Sequence, residues 1–127
     1  MVVFDTSLII DYLRNQGDRK TLFEEAVEKL EDENLAISVL TVQELFQGKS
    51  LGDEEEEKRV LEVIAPFEVL EYTMDIAKRA GKIVRENNGA SFVDAAIAAT
   101  AITYGAQLAV LNRKDFEKIK GLELYLV

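Results

Sequence analysis

The chain opens with Val2-Val3-Phe4-Asp5-Thr6-Ser7-Leu8-Ile9, in which an apolar, strand-like run passes directly into a helix-like pattern. The run before Asp5 predicts a short buried strand. The hydroxyls of Thr6 and Ser7 can cap a helix that turns the following apolar side chains inward. A strand that feeds a helix at once is typical of α/β proteins.

The same alternation continues to the end of the chain. Further strands are predicted at residues 35–38, 67–70, 107–111 and 122–126. Helices are predicted from Asp18 to Leu30 and at residues 41–48, 53–64, 73–86 and 91–105, with a short helix at 115–119. This pattern predicts a mostly parallel central sheet with helices on both faces, in three layers. No linker or repeat interrupts it, so we expect a single domain over residues 1–127.

Composition predicts a soluble globular protein. The chain is 48% hydrophobic and 31% charged, and none of its apolar runs approaches the ~20 residues of a membrane helix. The N-terminus lacks the basic segment and cleavage site of a secretory signal, so we expect a cytoplasmic protein without a membrane partner.

The absence of Cys and His narrows the chemistry. No thiolate nucleophile, Cys zinc site or imidazole base is available, so catalysis must use carboxylates, hydroxyls, amides, Lys or Arg. Oxygen ligands of this kind suit Mg²⁺, Mn²⁺ and Ca²⁺. A net charge of −9 argues against nucleic-acid binding, although bound metal would neutralise part of it and the exposed run Asp53–Glu57 carries more.

Four acids lie where helices are predicted to begin, and each has a structural alternative. Asp5 follows the first strand, and we interpret it as functional because Thr6 and Ser7 are available as caps. For Glu44, the pattern Thr41-Val42-Gln43-Glu44 matches a capping box, and for Asp94 the pattern Ser91-Phe92-Val93-Asp94 matches a looser version of it. The segment Asn112-Arg113-Lys114-Asp115 resembles one again. Another local feature, Gly81, is interpreted as allowing close helix packing.

Position in a parallel α/β fold favours a shared role for these acids. Helix starts of this kind meet at one edge of the sheet, where the side chains would converge. Two carboxylates about 4 Å apart repel by about 4 kcal/mol at an effective dielectric near 20, so such a group requires a divalent cation or shared protons. The sequence therefore predicts a metal site.

Three segments together resemble the PIN-domain family, and specifically the VapC toxins of VapBC toxin–antitoxin modules. They are Val3-Phe4-Asp5-Thr6-Ser7, Thr41-Val42-Gln43-Glu44-Leu45, and Phe92 to Ala101 continuing to Asn112-Arg113-Lys114-Asp115-Phe116. The family often has a hydroxyl residue two positions before Asn112, where this chain has Val110.

The resemblance implies a Rossmann-like PIN fold and an endoribonuclease in which a metal-activated water attacks an RNA phosphodiester. It implies metal-binding acids at Asp5, Glu44 and Asp94, with a fourth position supplied by Asn112 or Asp115. It also implies Mg²⁺, with Mn²⁺ as a substitute, a VapB-type antitoxin with a basic side chain in the acidic cleft, and a homodimer or higher homo-oligomer.

Further assignments follow from this hypothesis. Thr6 or Ser7 would orient a water or phosphate oxygen, and Arg14, Arg113 or Lys114 would contact the RNA backbone. The alternative function is a noncatalytic PIN-fold interaction domain, in which the acids only cap helices. A phosphoacceptor domain is a third possibility, but it would want an acceptor Asp after the third strand, where this chain has Glu71-Tyr72.

Overall fold

Five parallel strands form one sheet in the computed structural model, which describes residues 1–15, 17, 19–48 and 52–126. In chain order the strands are β1 (Val2–Phe4), β2 (Leu35–Ser38), β3 (Glu68–Leu70), β4 (Gln107–Ala109) and β5 (Leu124–Tyr125). Their spatial order is β3-β2-β1-β4-β5, and every neighbouring pair is parallel. The predicted parallel sheet is confirmed.

Helices connect the strands and cover both faces of the sheet, as predicted. They are α1 (Thr6–Arg14), α2 (Leu22–Lys29), α3 (Val39–Phe46), α4 (Glu54–Ile64), α5 (Met74–Glu86) and α6 (Phe92–Thr103), followed by a 3₁₀ turn at Arg113–Asp115. The predicted helix start at Asp18 lies outside the described residues; α2 itself is capped by Thr21, which forms a capping box with Glu24.

Two hydrophobic cores lie on opposite faces of the sheet. One contains the alanine-rich α6, which is apolar on nearly all sides and is buried between α5 and the strands. The other is built around Phe4, whose ring contacts those of Phe23 and Phe67 edge-on at centroid distances of 5.8 and 5.1 Å. These cores fix the sheet between two helical layers.

Two predicted helix starts are wrong. Helix α3 begins at Val39, directly after β2, because the Ser38 hydroxyl accepts the Leu40 N–H at 3.1 Å and caps it there, not at Thr41. The short helix predicted at 115–119 is instead the 3₁₀ turn at Arg113–Asp115, which Asn112 caps. Helix α1 likewise takes its cap from Asp5, whereas we predicted Thr6 or Ser7.

The order of the strands creates a switch point between β1 and β4. From β1 the chain winds outward through β2 to β3, then returns to the other side of β1 for β4. Phe4 pairs with Ala109, and the Asp5 N–H donates to the Ala109 carbonyl at 2.9 Å. Both strands therefore end at one crevice, which is where open α/β sheets bind ligands.

The surface of α5 differs from the prediction for Gly81. This glycine is exposed, and a Cβ added to it would meet no atom within 4 Å, so it does not serve helix packing. No helix among the described residues is both long and apolar enough to cross a membrane.

Candidate active site

Asp5 stands at the switch point and is both a helix cap and a buried acid. Its side chain is 5% exposed, and its carboxylate accepts the Ser7 N–H at 3.3 Å together with the Ser7 hydroxyl. Burial raises the pKa of Asp5 to about 6; the Ser7 hydrogen bonds oppose this rise, and the negative charges of Asp94 and Glu44 add to it. The capping alternative is correct, but it does not explain why a carboxylate is buried near two others.

Glu44 does not form the capping box that its sequence pattern indicates. Because α3 begins at Val39, Glu44 lies beyond the first turn and cannot reach back to an N-cap amide. Its Oε1 atom is buried and has no hydrogen-bond partner among the described residues. An unpaired buried carboxylate oxygen is costly, which makes Glu44 the clearest candidate for binding something that the protein itself does not supply.

Two buried threonines join the helices that carry Asp5 and Glu44. The hydroxyls of Thr6 and Thr41 are 2.9 Å apart and share a hydrogen bond between α1 and α3. In this structure the Thr6 hydroxyl is engaged with Thr41, and the Ser7 hydroxyl is engaged with Asp5. Ser7 thus fixes the Asp5 carboxylate, and the Thr6–Thr41 pair holds α1 against α3.

Asp94 lies at the N-terminal turn of α6, where Ser91 forms the predicted cap. The Ser91 hydroxyl accepts the Asp94 N–H at 3.0 Å. Partial burial raises the pKa of the Asp94 carboxyl; the nearby Ser91 hydroxyl opposes this, and the charge of Asp115 adds to the rise.

The fourth position is exposed and lies on the turn after β4. The Asn112 side-chain oxygen accepts the Lys114 N–H at 3.2 Å and caps the 3₁₀ turn. Asp115 is the last residue of that turn. Val110, in the place where the family often has a hydroxyl, is buried in the core that contains α6 and offers no polar group.

A cleft of about 430 Å³ joins Asp94 to Asp115. Its other lining residues belong to the end of α5, the turn that follows it, and two lysines, Lys114 and Lys118. Glu44 opens instead into a smaller cavity of about 190 Å³, which it shares with Arg14. Asp5 lines neither cavity, but the charges of both Asp94 and Glu44 raise its pKa.

The four predicted acids affect one another in pairs: Asp94 and Glu44 raise the pKa of Asp5, and Asp115 raises the pKa of Asp94. They do not close into a coordination shell: across the described ranges, no three acidic side chains are grouped tightly enough to hold an ion. The donor set consists of oxygens only, and Glu44 has an oxygen free to coordinate. These residues suit a hard cation such as Mg²⁺ or Mn²⁺.

One residue of the cleft was missed by sequence reasoning. Lys118 lines it together with Lys114, four residues earlier. Lysines four residues apart lie on the same side of an α-helix, so their spacing could have suggested a shared surface. This segment is a series of turns and not an α-helix, however, so the helical pattern did not predict that both lysines line the cleft.

Comparison with known proteins places the chain in a family. A family model described as PIN domain matches residues 2–122. Ribonuclease VapC10 of Mycobacterium tuberculosis is 33% identical over 127 residues, which cover 97% of this chain and 91% of that protein. Ribonuclease VapC1 of Methanocaldococcus jannaschii is 30% identical over 131 residues, covering 98% and 86%.

Two solved structures agree with the sequence comparison. The DNA-bound VapBC from Salmonella typhimurium contains a chain with a TM-score of 0.83 and 27% identity, covering 98% of this chain and 96% of that one. A toxin–antitoxin complex from Klebsiella pneumoniae gives a TM-score of 0.75 and 28% identity with complete coverage of both chains. The chain therefore belongs to the PIN-domain family and, within it, to the VapC proteins.

Proposed function

We propose that this protein is an endoribonuclease that hydrolyses RNA phosphodiester bonds and depends on Mg²⁺ or Mn²⁺. The observation that carries the proposal is the buried Oε1 of Glu44, which has no hydrogen-bond partner in the described part of the chain, while its charge raises the pKa of the buried Asp5 at the sheet's switch point. Carboxylates in this arrangement repel each other unless a cation lies between them. The names of the curated relatives, which are ribonucleases, support the same activity.

Asp5, Glu44 and Asp94 would hold the ion, and Asn112 or Asp115 would complete the site. A bound Mg²⁺ or Mn²⁺ would supply an activated water and neutralise the charge that develops on the phosphodiester. The electrostatic link from Asp94 to Asp115 favours Asp115 as the fourth carboxylate, because Asn112 already accepts a backbone N–H.

The other side chains of the site position the acids and the substrate. Ser7 fixes the Asp5 carboxylate, and the pair Thr6–Thr41 holds α1 against α3, so that Asp5 and Glu44 keep their separation. Lys114 and Lys118 stand in the cleft beside Asp94 and Asp115, where a phosphate of the substrate would offset their charge.

The test is RNA cleavage by the purified protein with Mn²⁺, with Mg²⁺ and with EDTA. Asp5→Asn and Asp94→Asn should each reduce the rate by at least about 100-fold, a loss of the size seen when a charge-stabilising group is removed from an active site. Asp32→Asn, which changes an exposed carboxylate in a turn, is the matched control and should cleave normally. If both site variants cleave at the wild-type rate and EDTA has no effect, the noncatalytic interaction domain becomes the better hypothesis.

The proposed partners come from the same relatives. The solved neighbours from Salmonella typhimurium and Klebsiella pneumoniae are a VapBC and a toxin–antitoxin complex, which supports a VapB-type antitoxin as the partner of this chain. RNA as substrate, a homodimer or higher homo-oligomer, and a cytoplasmic location stay part of the proposal.

A further inference from the structure

The exposed side of α5 forms a basic groove in an otherwise acidic protein. A shallow depression of about 720 Å³ is lined by four cations, Lys78, Arg79, Lys82 and Arg85, and by one carboxylate, Asp75. The whole chain has 15 cations and a net charge of −9, so this helix carries more than a quarter of the positive charge. We call this surface the basic groove.

The charges of the basic groove are largely uncompensated. Among the described residues, the only ion pair made by these four cations is Lys82 with Glu86, at 3.9 Å. Gly81 lies on the same surface without a side chain, and a Cβ placed there would meet only open space. The surface between the long cationic side chains is therefore open at Gly81. An open, positively charged surface favours an extended, negatively charged ligand over a compact apolar one.

The basic groove adjoins the cleft that contains the acids. Arg85 lines the groove, and the next residue, Glu86, lines the cleft together with Asp94 and Asp115. Lys114 and Lys118 continue the positive charge inside the cleft. Lys78 and Arg85 are seven residues apart on α5, so at 1.5 Å per residue the row of cations extends about 10 Å along the surface from the cleft.

We propose that the basic groove binds the sugar–phosphate backbone of the RNA outside the cleavage site. This inference rests on the proposed ribonuclease function and names the surface that its substrate follows. The acidic site and the negative net charge repel RNA, which is a polyanion. A row of cations that leads to the site would attract the phosphates of the RNA and offset this repulsion. Contacts of this kind are to phosphates, so the groove holds RNA without reading its sequence.

The experiment measures RNA binding in an Asp94→Asn background with EDTA, which prevents cleavage. The triple variant Lys78→Gln/Lys82→Gln/Arg85→Gln is compared with Lys29→Gln/Lys58→Gln/Lys120→Gln, which removes the same charge from exposed positions outside both the groove and the cleft. A fluorescent single-stranded RNA of about 16 nucleotides reaches beyond the cleft, and one of about 4 nucleotides does not.

Removing three phosphate contacts should lower the slope of log affinity against log salt by about 2, since each contributes about 0.7. Binding of the longer RNA should then weaken on the order of 100-fold at 0.1 M salt and converge with the control at 1 M. The shorter RNA should bind both variants alike. The conservative variant Lys78→Arg/Lys82→Arg/Arg85→Lys should keep the affinity, which excludes a loss of fold as the cause.

Equal affinity and equal salt slope for the triple variant and the control would overturn the proposal. So would a triple variant that binds RNA normally but loses affinity for an acidic protein partner, because the occupant would then be a protein. The proposed function fails differently: if wild-type protein binds the longer RNA through the groove but cleaves none of it with Mn²⁺, the groove stands and the ribonuclease assignment falls.

Discussion

The buried carboxyl of Asp5 opposes folding at neutral pH. Burial raises its pKa to about 6 from an ordinary value of 3.8, so the folded protein holds this proton more tightly than the unfolded chain does. The resulting stability is present below about pH 4 and is lost as the pH rises towards 6. A shift of about two units corresponds to about 3 kcal/mol at pH 7.

Asp5→Asn should therefore stabilise the metal-free protein. Asparagine keeps the N-cap of α1 but carries no charge to desolvate, so the free energy of unfolding should rise by about 1–3 kcal/mol at pH 7. Urea titrations in EDTA near pH 4 and pH 7 measure this, with Asp32→Asn as the exposed control. A gain of equal size at both pH values would mean that desolvation of the carboxylate is not the cause.

Substitution of Glu44 should affect metal binding but not stability. Its Oε1 has no hydrogen bond to lose within the described ranges, so Glu44→Gln should change the free energy of unfolding of the metal-free protein by less than about 1 kcal/mol. Affinity for Mn²⁺, measured by calorimetry, should fall at least about tenfold, because a charged ligand is removed. Unchanged Mn²⁺ affinity would assign the ion to Asp94 and Asp115 without Glu44.

At the scale of elements, the contact between α1 and α3 depends on one buried hydroxyl pair. Thr6→Val and Thr41→Val should each cost about 1–3 kcal/mol, since each leaves the other hydroxyl buried and unpaired. The double variant should cost little more than either single one, because both polar groups are then removed. A double-mutant cycle in urea checks this coupling, and additive costs would contradict it.

The helix starts explain where sequence reasoning succeeded and where it did not. The helices predicted to start at Thr73 and Ser91 are capped by these residues, and Asn87-Asn88-Gly89 marked the turn before Ser91. Ser38 was missed because Val39 and Leu40 continue the apolar run of β2, and a short run of this kind does not distinguish a strand from a helix. The three-residue error turned Glu44 into an apparent capping residue, whereas its actual environment was visible only in three dimensions.

At the scale of the whole molecule, periodicity was enough to predict the parallel sheet, but the strand order was not encoded locally. The return from β3 to β4 brings Asp94 and Asp115 to the side of β1 that Asp5 occupies. The sequence could place each acid at a helix start, yet only the topology decides which acids are neighbours. The extent of the domain over residues 1–127 stays a prediction.

Because the charges of Asp94 and Glu44 disfavour an ionised Asp5, a divalent cation held by these carboxylates should stabilise the folded protein. Binding to the folded state alone adds about 2.7 kcal/mol when the free ion is at 100 times its dissociation constant. Thermal unfolding with MnCl₂ should therefore occur at a higher temperature than with EDTA at pH 7, and the increase should shrink near pH 5, where Asp5 is protonated. NaCl at matched ionic strength controls for simple screening, and the variant Asp5→Asn/Asp94→Asn should lose most of the increase. A rise in melting temperature that NaCl reproduces, or that the double variant keeps, would mean that the cation acts on the acidic surface in general and not on these carboxylates.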